Sequence, residues 1–251
     1  MGDLVDVLLP LRITGSESIC GGNKYLGLCV TSVPTLPLKQ LIALPVELGF
    51  MTDTGQLRRV CGIITEASAG YMDGGLTTYH LVVRDALAVM EKRVNSRIFR
   101  NQDELSIMET LFDEWRRSNY VISTTFDYEF DPMLYVAQYP PREQTMQCNE
   151  SDAAFVRRLL KRRGISWVIR PGRASTRSSD HAHDQGLAHK LVLFNDMSSP
   201  RQNKAGTVRY HREDATDVRD VIKHWTSQRS LQAGVLTRHS WDYDNPHAIH
   251  P

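Results

Sequence analysis

Apolar residues fall into short runs cut by turn formers in the first third of the chain, then change to helical spacing. Within residues 1–95 the runs are 25–33 (YLGLCVTSV), 41–50 (LIALPVELGF), 60–67 (VCGIITEA) and 76–84 (LTTYHLVVR). A polar turn at 52–56 precedes the third run, and Asp73-Gly74-Gly75 is a hairpin signal, because glycine supplies the positive φ that a tight turn requires. Short strands at this spacing predict a barrel or sandwich.

The period then changes. Asn101 is read as a helix cap with Glu104 as its capping-box partner, and Leu105, Met108, Leu111, Phe112 and Trp115 follow on one face. A second helix is expected from Ser151, with the stripe Phe155, Val156, Leu159 and Leu160 and a stop at Gly164. Between the helices, 120–128 and 134–139 read as strands; after them, 165–169 and 190–194 read as a strand pair. The polar stretch 171–188 reads as a long exposed loop. Segments 208–210, 218–225, 234–238 and 240–243 read as a return to β structure. No internal repeat is present. The expected organisation is α+β: β-rich over 1–95, α/β with two helices over 96–200, and β again over 201–251.

Composition narrows the class. The 251 residues are 41% hydrophobic and 24% charged, ordinary for a globular protein able to bury a core without disulfide or metal staples. Thirty Lys and Arg against 29 Asp and Glu leave a net charge of +1, which argues against a DNA coat protein or an acidic tail. That neutrality is a cancellation: residues 103–131 hold eight acids and two arginines, and 153–179 hold eight Lys and Arg and no acid. The two blocks raise the expectation of opposite-sign surfaces that steer subunit docking, so that charge reversal at Arg162 and Arg163 weakens assembly. No apolar run approaches the ~18 residues of a membrane span, and the longest, 41–50, contains Pro45 and Glu47. The N-terminus starts acidic and lacks a basic region, so it is a poor secretion signal and the protein is expected to be made in the cytoplasm.

Candidate chemistry is sparse. Cys20, Cys29, Cys61 and Cys148 form no CxxC pair and read as reduced structural thiols among apolar or strand-like neighbours. His181, His183 and His189 share one stretch, read as a solvated loop with a zinc site as the sharper alternative. No HExxH, GxSxG, phosphate-loop or GxGxxG string occurs. The basic face Arg157, Arg158, Lys161, Arg162 and Arg163 reads as a solvated helix end favoured by the dipole, with nucleic-acid binding as the alternative. No catalytic, cofactor-binding or metal residue is assigned, and no cofactor or nucleic-acid partner is expected.

From Tyr139 the chain reads YPPREQTMQCNESDAAFVRRLLKRRGISWVI. This resembles the N-terminal hub region of VgrG, the spike protein family of type VI secretion systems, through Tyr139, Pro140, Pro141, Arg142 and Glu143, then Gln147, Glu150, Ser151, Asp152, Phe155, Leu159, Leu160, Gly164 and Ile165. A second stretch is similar too: Arg59, Gly62, Ile63, Thr65, Gly74, Gly75, Tyr79, Leu81 and Arg84, then the segment from Asn95 to Asn101. The strings HKLVLFND and SWDYDNP resemble later strands of the family, so the resemblance runs over about residues 25–246. Lys161-Arg162-Arg163 stands where the family often has acids, and Asp85-Ala86 replaces a Pro-Trp pair.

The resemblance implies a phage contractile-tail hub fold: a tube-like β-barrel, a small α/β insertion and the start of a second barrel. It implies a homotrimer in the full-length protein that adapts a puncturing spike to the hexameric Hcp tube. Baseplate components, spike-tip proteins and effectors are the further expected partners. It implies assembly in the cytoplasm and then secretion, and no enzymatic role. A phage or prophage baseplate hub is the nearest alternative. From other classes, a nucleic-acid module on the basic helix and a metal-dependent hydrolase on the loop histidines are the alternatives. The PPRE string is expected to be structural, its prolines fixing extended backbone and Arg142 and Glu143 holding neighbouring elements by charge-assisted hydrogen bonds.

Overall fold

The computed structural model describes residues 8–33, 35–137, 139–173, 187–198, 207–212, 220–231 and 234–235. The chain divides into two units, 1–203 and 204–251.

The first unit opens with β1 (Leu9–Ser18), β2 (Gly22–Thr31), the short α1 (Leu38–Leu41), β3 (Pro45–Met51), β4 (Leu57–Asp73) and β5 (Leu76–Arg84). These strands form one antiparallel sheet in the order β1-β2-β5-β4-β3. It curls into a half-barrel. The ring of Tyr25 on β2 meets Phe50 on β3 at 6.2 Å, and Glu17 of β1 pairs with Arg58 of β4. Bulges at 10–12, 64–66 and 69–72 increase the local twist that curling needs. Gly62 allows a close approach of β4 to the β5 backbone, since a Cβ there would lie 2.6 Å from Val83 Cγ1 and 2.9 Å from the Arg84 carbonyl.

The continuous apolar run of β4 has a physical reason. Val60 and Ile64 join Tyr25, Tyr79, Leu81 and Val83 in the half-barrel core, while Ile63 faces the other way into a second core. A strand covered on both faces loses the polar alternation of an exposed one. On β5 the alternation survives, burying Thr77, Tyr79, Leu81 and Val83.

Beyond the half-barrel come α2 (Ala86–Met90), β6 (Val94–Gln102), α3 (Glu104–Ser118), α4 (Tyr120–Thr125), β7 (Phe126–Phe130), α5 (Pro132–Val136), β8 (Arg142–Ser151), α6 (Asp152–Arg163), β9 (Ser166–Arg173) and β10 (Leu187–Phe194). β6 and β8 form an antiparallel ribbon. β10 is the centre of a three-stranded sheet, parallel to β7 and antiparallel to β9. The second core gathers the stripes of α3 and α6 with Phe126, Trp167, Leu191 and Leu193. The second unit contains β11 (Arg209–Tyr210) paired with β12 (Val221–Ile222).

Several expectations need correction. β1 is a ten-residue edge strand where no element was expected, and α1 and α2 are short helices flanking the sheet. The cap of α3 is Asp103, whose side chain accepts from Ser106 N at 2.9 Å; Asn101 instead has φ of 51°. Segment 120–128 is a strand only from Phe126, and the described residues of 134–139 contain no strand but most of α5. His189 is not in a loop: it is fully buried on β10, while His181 and His183 lie outside the described residues. The strands expected at 208–210 and 218–225 are two residues each. Gly234 and Val235 are not strand, and 236–251 lies outside the described residues.

Candidate functional site

What the sequence brings together is a set of buried polar frames rather than a reactive pocket. The largest surrounds Asp152, the first residue of α6, fully buried behind the Ser151 cap. Its carboxylate accepts from Arg93 Nε at 2.6 Å, Arg97 Nη2 at 2.8 Å, Asn95 Nδ2 at 3.2 Å, Trp115 Nε1 at 2.8 Å and Gln147 Nε2 at 2.8 Å. The donors come from β6, its lead-in, α3 and β8, so one carboxylate ties four segments. Glu114 pairs with Arg93 at 2.9 Å and Arg97 at 2.6 Å, and the Arg93 guanidinium lies 4.2 Å from the centre of the Trp115 ring. Burial works against the Asp152 charge, but the hydrogen bonds from Gln147, Arg93, Asn95 and Trp115 outweigh it and hold the carboxyl at about 2. Such a group stays ionised at neutral pH; it holds a shape and does not shuttle protons.

A second frame surrounds Glu104, fully buried at the start of α3. Arg142 of the PPRE string donates to it from Nε at 3.2 Å, and Arg163 at the end of α6 approaches at 2.8 Å. Tyr139 lies 5.5 Å beneath the Arg163 guanidinium. The expected holding role of Arg142 is therefore present, with Glu104 as its partner.

The third frame joins the half-barrel to the second core. Asp85 caps α2: one carboxylate oxygen accepts from Leu87 N at 3.0 Å, the other from Asn23 N at 2.9 Å. His189 Nε2 accepts from Ala86 N at 2.7 Å. Burial pushes the Asp85 carboxyl up and the His189 imidazole down to about 4. The Asp-Ala pair that departs from the resembled family's Pro-Trp thus supplies both a cap and the N–H that meets His189.

The basic face of α6 is only partly a solvated surface. Arg157 pairs with Glu91 at 2.8 Å, Arg158 forks onto Glu150 and the Met146 carbonyl, and Arg163 is committed to Glu104; Lys161 and Arg162 are exposed. The acidic block is likewise engaged within the chain, Asp127 with Arg116 at 3.3 Å and Glu129 with Lys190 at 3.2 Å. The idea of two opposite docking surfaces therefore fails for Arg163, whose charge is spent internally. We expect Arg163→Gln to lower unfolding free energy by about 2 kcal/mol, the loss of an ion-pair partner to the buried Glu104 charge. Arg162→Gln should stay within about 0.5 kcal/mol. Urea midpoints of the two variants give the comparison.

All four cysteines are free; Cys29 and Cys61 are buried, their thiols pushed up by burial, whereas Cys20 and Cys148 are exposed, against expectation. Among the described residues no group of three His, Cys, Asp or Glu is placed to hold a metal ion, and no helix is long and apolar enough to cross a membrane. The sequence reading missed Asp152, Glu104 and Asp85 as frame centres. The one local signal was an acid at each helix start: Glu104 and Asp152 in the first turn beside a capping residue, and Asp85 as the cap itself.

Comparison with known proteins gives this arrangement a family. The chain is 28% identical over 251 residues to the type VI secretion system spike protein VgrG1a of Pseudomonas aeruginosa, covering 97% of this chain and 34% of that protein. It is 25% identical over 245 residues to VgrG1b of the same organism, covering 97% of this chain and 30% of that one. It thus spans about a third of the length of these relatives. Among solved structures, the fold is shared with the E. coli c3393 protein, described as a type VI secretion component similar to T4 tail proteins gp27 and gp5. There the TM-score is 0.58 at 20% identity, over 78% of this chain and 48% of that one. The profile of the phage tail baseplate hub (GPD) family matches residues 26–249, and the chain belongs to that family.

Proposed function

We propose that this chain is the hub portion of a type VI secretion spike, a rigid adaptor between a trimeric puncturing spike and the hexameric Hcp tube. The observation that carries the reading is the match to spike proteins along nearly the whole of this chain. The half-barrel is the part that docks on the tube, and the layer of α3, α6 and the three-stranded sheet braces it. The work comes from a contracting sheath; the hub's task is to keep its shape under load. Interlocked carboxylate–guanidinium frames suit that task, since they join segments distant in sequence. No residue is given a catalytic role.

In this reading the full-length protein is a homotrimer, meets baseplate components, and carries spike-tip and effector proteins. It assembles in the cytoplasm and leaves with the tube. The family profile itself, that of a phage tail hub, favours a second reading: a baseplate hub of a phage or prophage. Deleting the gene in its host and following tube protein in the medium separates the two. The spike reading expects release of tube protein to stop and to return on complementation. Undiminished release, with loss of tail particles, would establish the phage reading in its place.

A further inference from the structure

A cavity of about 60 Å³ lies where the closed end of the β1–β2 hairpin meets β4 and β9. A single water needs roughly 10–15 Å³ measured the same way, so there is room for a small multi-atom group. Three arginines border it, Arg58 and Arg59 from β4 and Arg170 from β9, together with Asn23 and Glu17. Arg58 reaches Glu17, and Arg59 reaches Glu47 at a long 3.7 Å. Among the described residues Arg170 has no acidic partner. Its cross-strand neighbour is another cation, Lys190, whose ammonium turns to Glu129 at 3.2 Å and Asp127 at 3.8 Å. Three arginines are therefore set against two carboxylates.

Asn23 adds an independent observation. It is 8% exposed, and its backbone N–H is taken by Asp85. Its side-chain amide makes no hydrogen bond to another described residue, so its donors remain available at the cavity it borders. An asparagine amide and an arginine without an acidic partner, both bordering one small cavity, match the oxygens of a carboxylate or phosphate.

We propose that this seam cavity binds a compact oxyanion of carboxylate to phosphate size, with Arg170 and Asn23 as its principal donors and Arg59 beside them. The ion supplies the negative charge that Arg170 lacks and ties β2 and β4 of the half-barrel to β9. The site does not depend on the spike reading.

The test uses the full chain, with thermal unfolding in chloride, acetate and phosphate at equal pH and ionic strength, and calorimetric titration of acetate and of inorganic phosphate. A saturable rise in Tm of several degrees over chloride is expected with one or both oxyanions, and the tighter of the two identifies the chemistry. Arg170→Gln should unfold cooperatively at nearly the wild-type Tm in chloride and lose the shift, whereas Arg100→Gln on the exposed face of β6 should keep it. Asn23→Ala leaves the backbone bond to Asp85 in place and should weaken the oxyanion about fivefold to tenfold, which keeps the proposal testable should Arg170→Gln not fold. Equal Tm in all three salts, or an undiminished shift in Arg170→Gln or Asn23→Ala, overturns it.

Discussion

Asp152→Ala is expected to lower unfolding free energy by about 3–5 kcal/mol, enough to consume a third or more of the stability of an ordinary domain. The carboxylate accepts five side-chain hydrogen bonds at 2.6–3.2 Å with no solvent to replace it. Removing it leaves the Arg93 and Arg97 charges half-compensated beside Glu114 and leaves the Trp115 and Gln147 donors unpaired. Asp152→Asn keeps the volume but replaces one acceptor with a donor that faces other donors, so it should recover only part of the loss. Glu114→Gln, on the more exposed side of the same frame, should cost well under half as much. Linkage supplies a second signature. A carboxyl at about 2 when folded and 3.8 when unfolded contributes stability that is full above about pH 5 and is lost as pH falls through 2. The wild type should therefore weaken by about 2 kcal/mol across that window, and Asp152→Asn should lack this component. Urea unfolding of the wild type and three variants at pH 7, 4 and 2.5 measures both effects. An Asp152→Ala midpoint indistinguishable from wild type would mean that the frame is not what holds α3, α6 and the ribbon together.

Elements specified by local chemistry were legible in the sequence. α6 starts at Ser151, whose hydroxyl accepts from Ala154 N, and stops at Gly164, whose φ of 67° is open to glycine without strain. The β4–β5 hairpin is written in its glycines. Elements with conflicting local signals, or defined by a distant partner, were not. Segment 120–125 is rich in β-branched residues and reads as strand, yet Asn119 caps it by accepting from Ile122 N, so α4 runs straight on from α3. The Asp131-Pro132 start of α5 was a readable helix signal, overridden by the apolar run after it. β1 alternates too weakly to declare itself; its pairing with β2 defines it. Glu104 is not a capping-box partner because the cap is Asp103, which places Glu104 first in the helix, and its carboxylate is buried against Arg142 and Arg163.

The frames were hidden for the same reason. The donors to Asp152 sit at positions 93, 95, 97, 115 and 147, and no window of the sequence contains them together. Charge counting showed an acidic block and a basic block of opposite sign, and the fold spends much of both internally. The net charge of +1 thus records intramolecular pairing as well as surface balance. Family resemblance reached the fold without this detail, while the Asp85-Ala86 departure marked a joint with chemistry of its own.

That joint carries the second large prediction: stability should fall on mild acidification, and His189→Gln should remove most of the slope. His189 is fully buried and neutral, and its Nε2 accepts from the Ala86 N–H at the start of α2. A proton on that nitrogen would set donor against donor inside the protein. Burial holds the imidazole at about 4 against 6.5 in the unfolded chain, so between those values the unfolded state binds more protons and stability drops as pH falls. The contribution is complete above about pH 7.5; about 2 kcal/mol is lost by pH 5 and about 3 kcal/mol by pH 4. The charged groups around the joint work within narrower limits. Asp85, raised by burial, takes up its own proton on folding and adds stability in the acid part of the range. Arg84 and Arg157, both paired with Glu91, oppose that rise, while Lys190 and Asp127 compensate each other on the neighbouring strands. Glutamine at 189 offers a carbonyl oxygen to the Ala86 N–H and has no proton to gain. Unfolding free energies at pH 7.5, 6, 5 and 4 should show a steep wild-type decline and a shallow one in His189→Gln, whatever the absolute stability of the variant. Parallel slopes would mean that some other group carries the acid sensitivity and that the His189–Ala86 bond survives protonation.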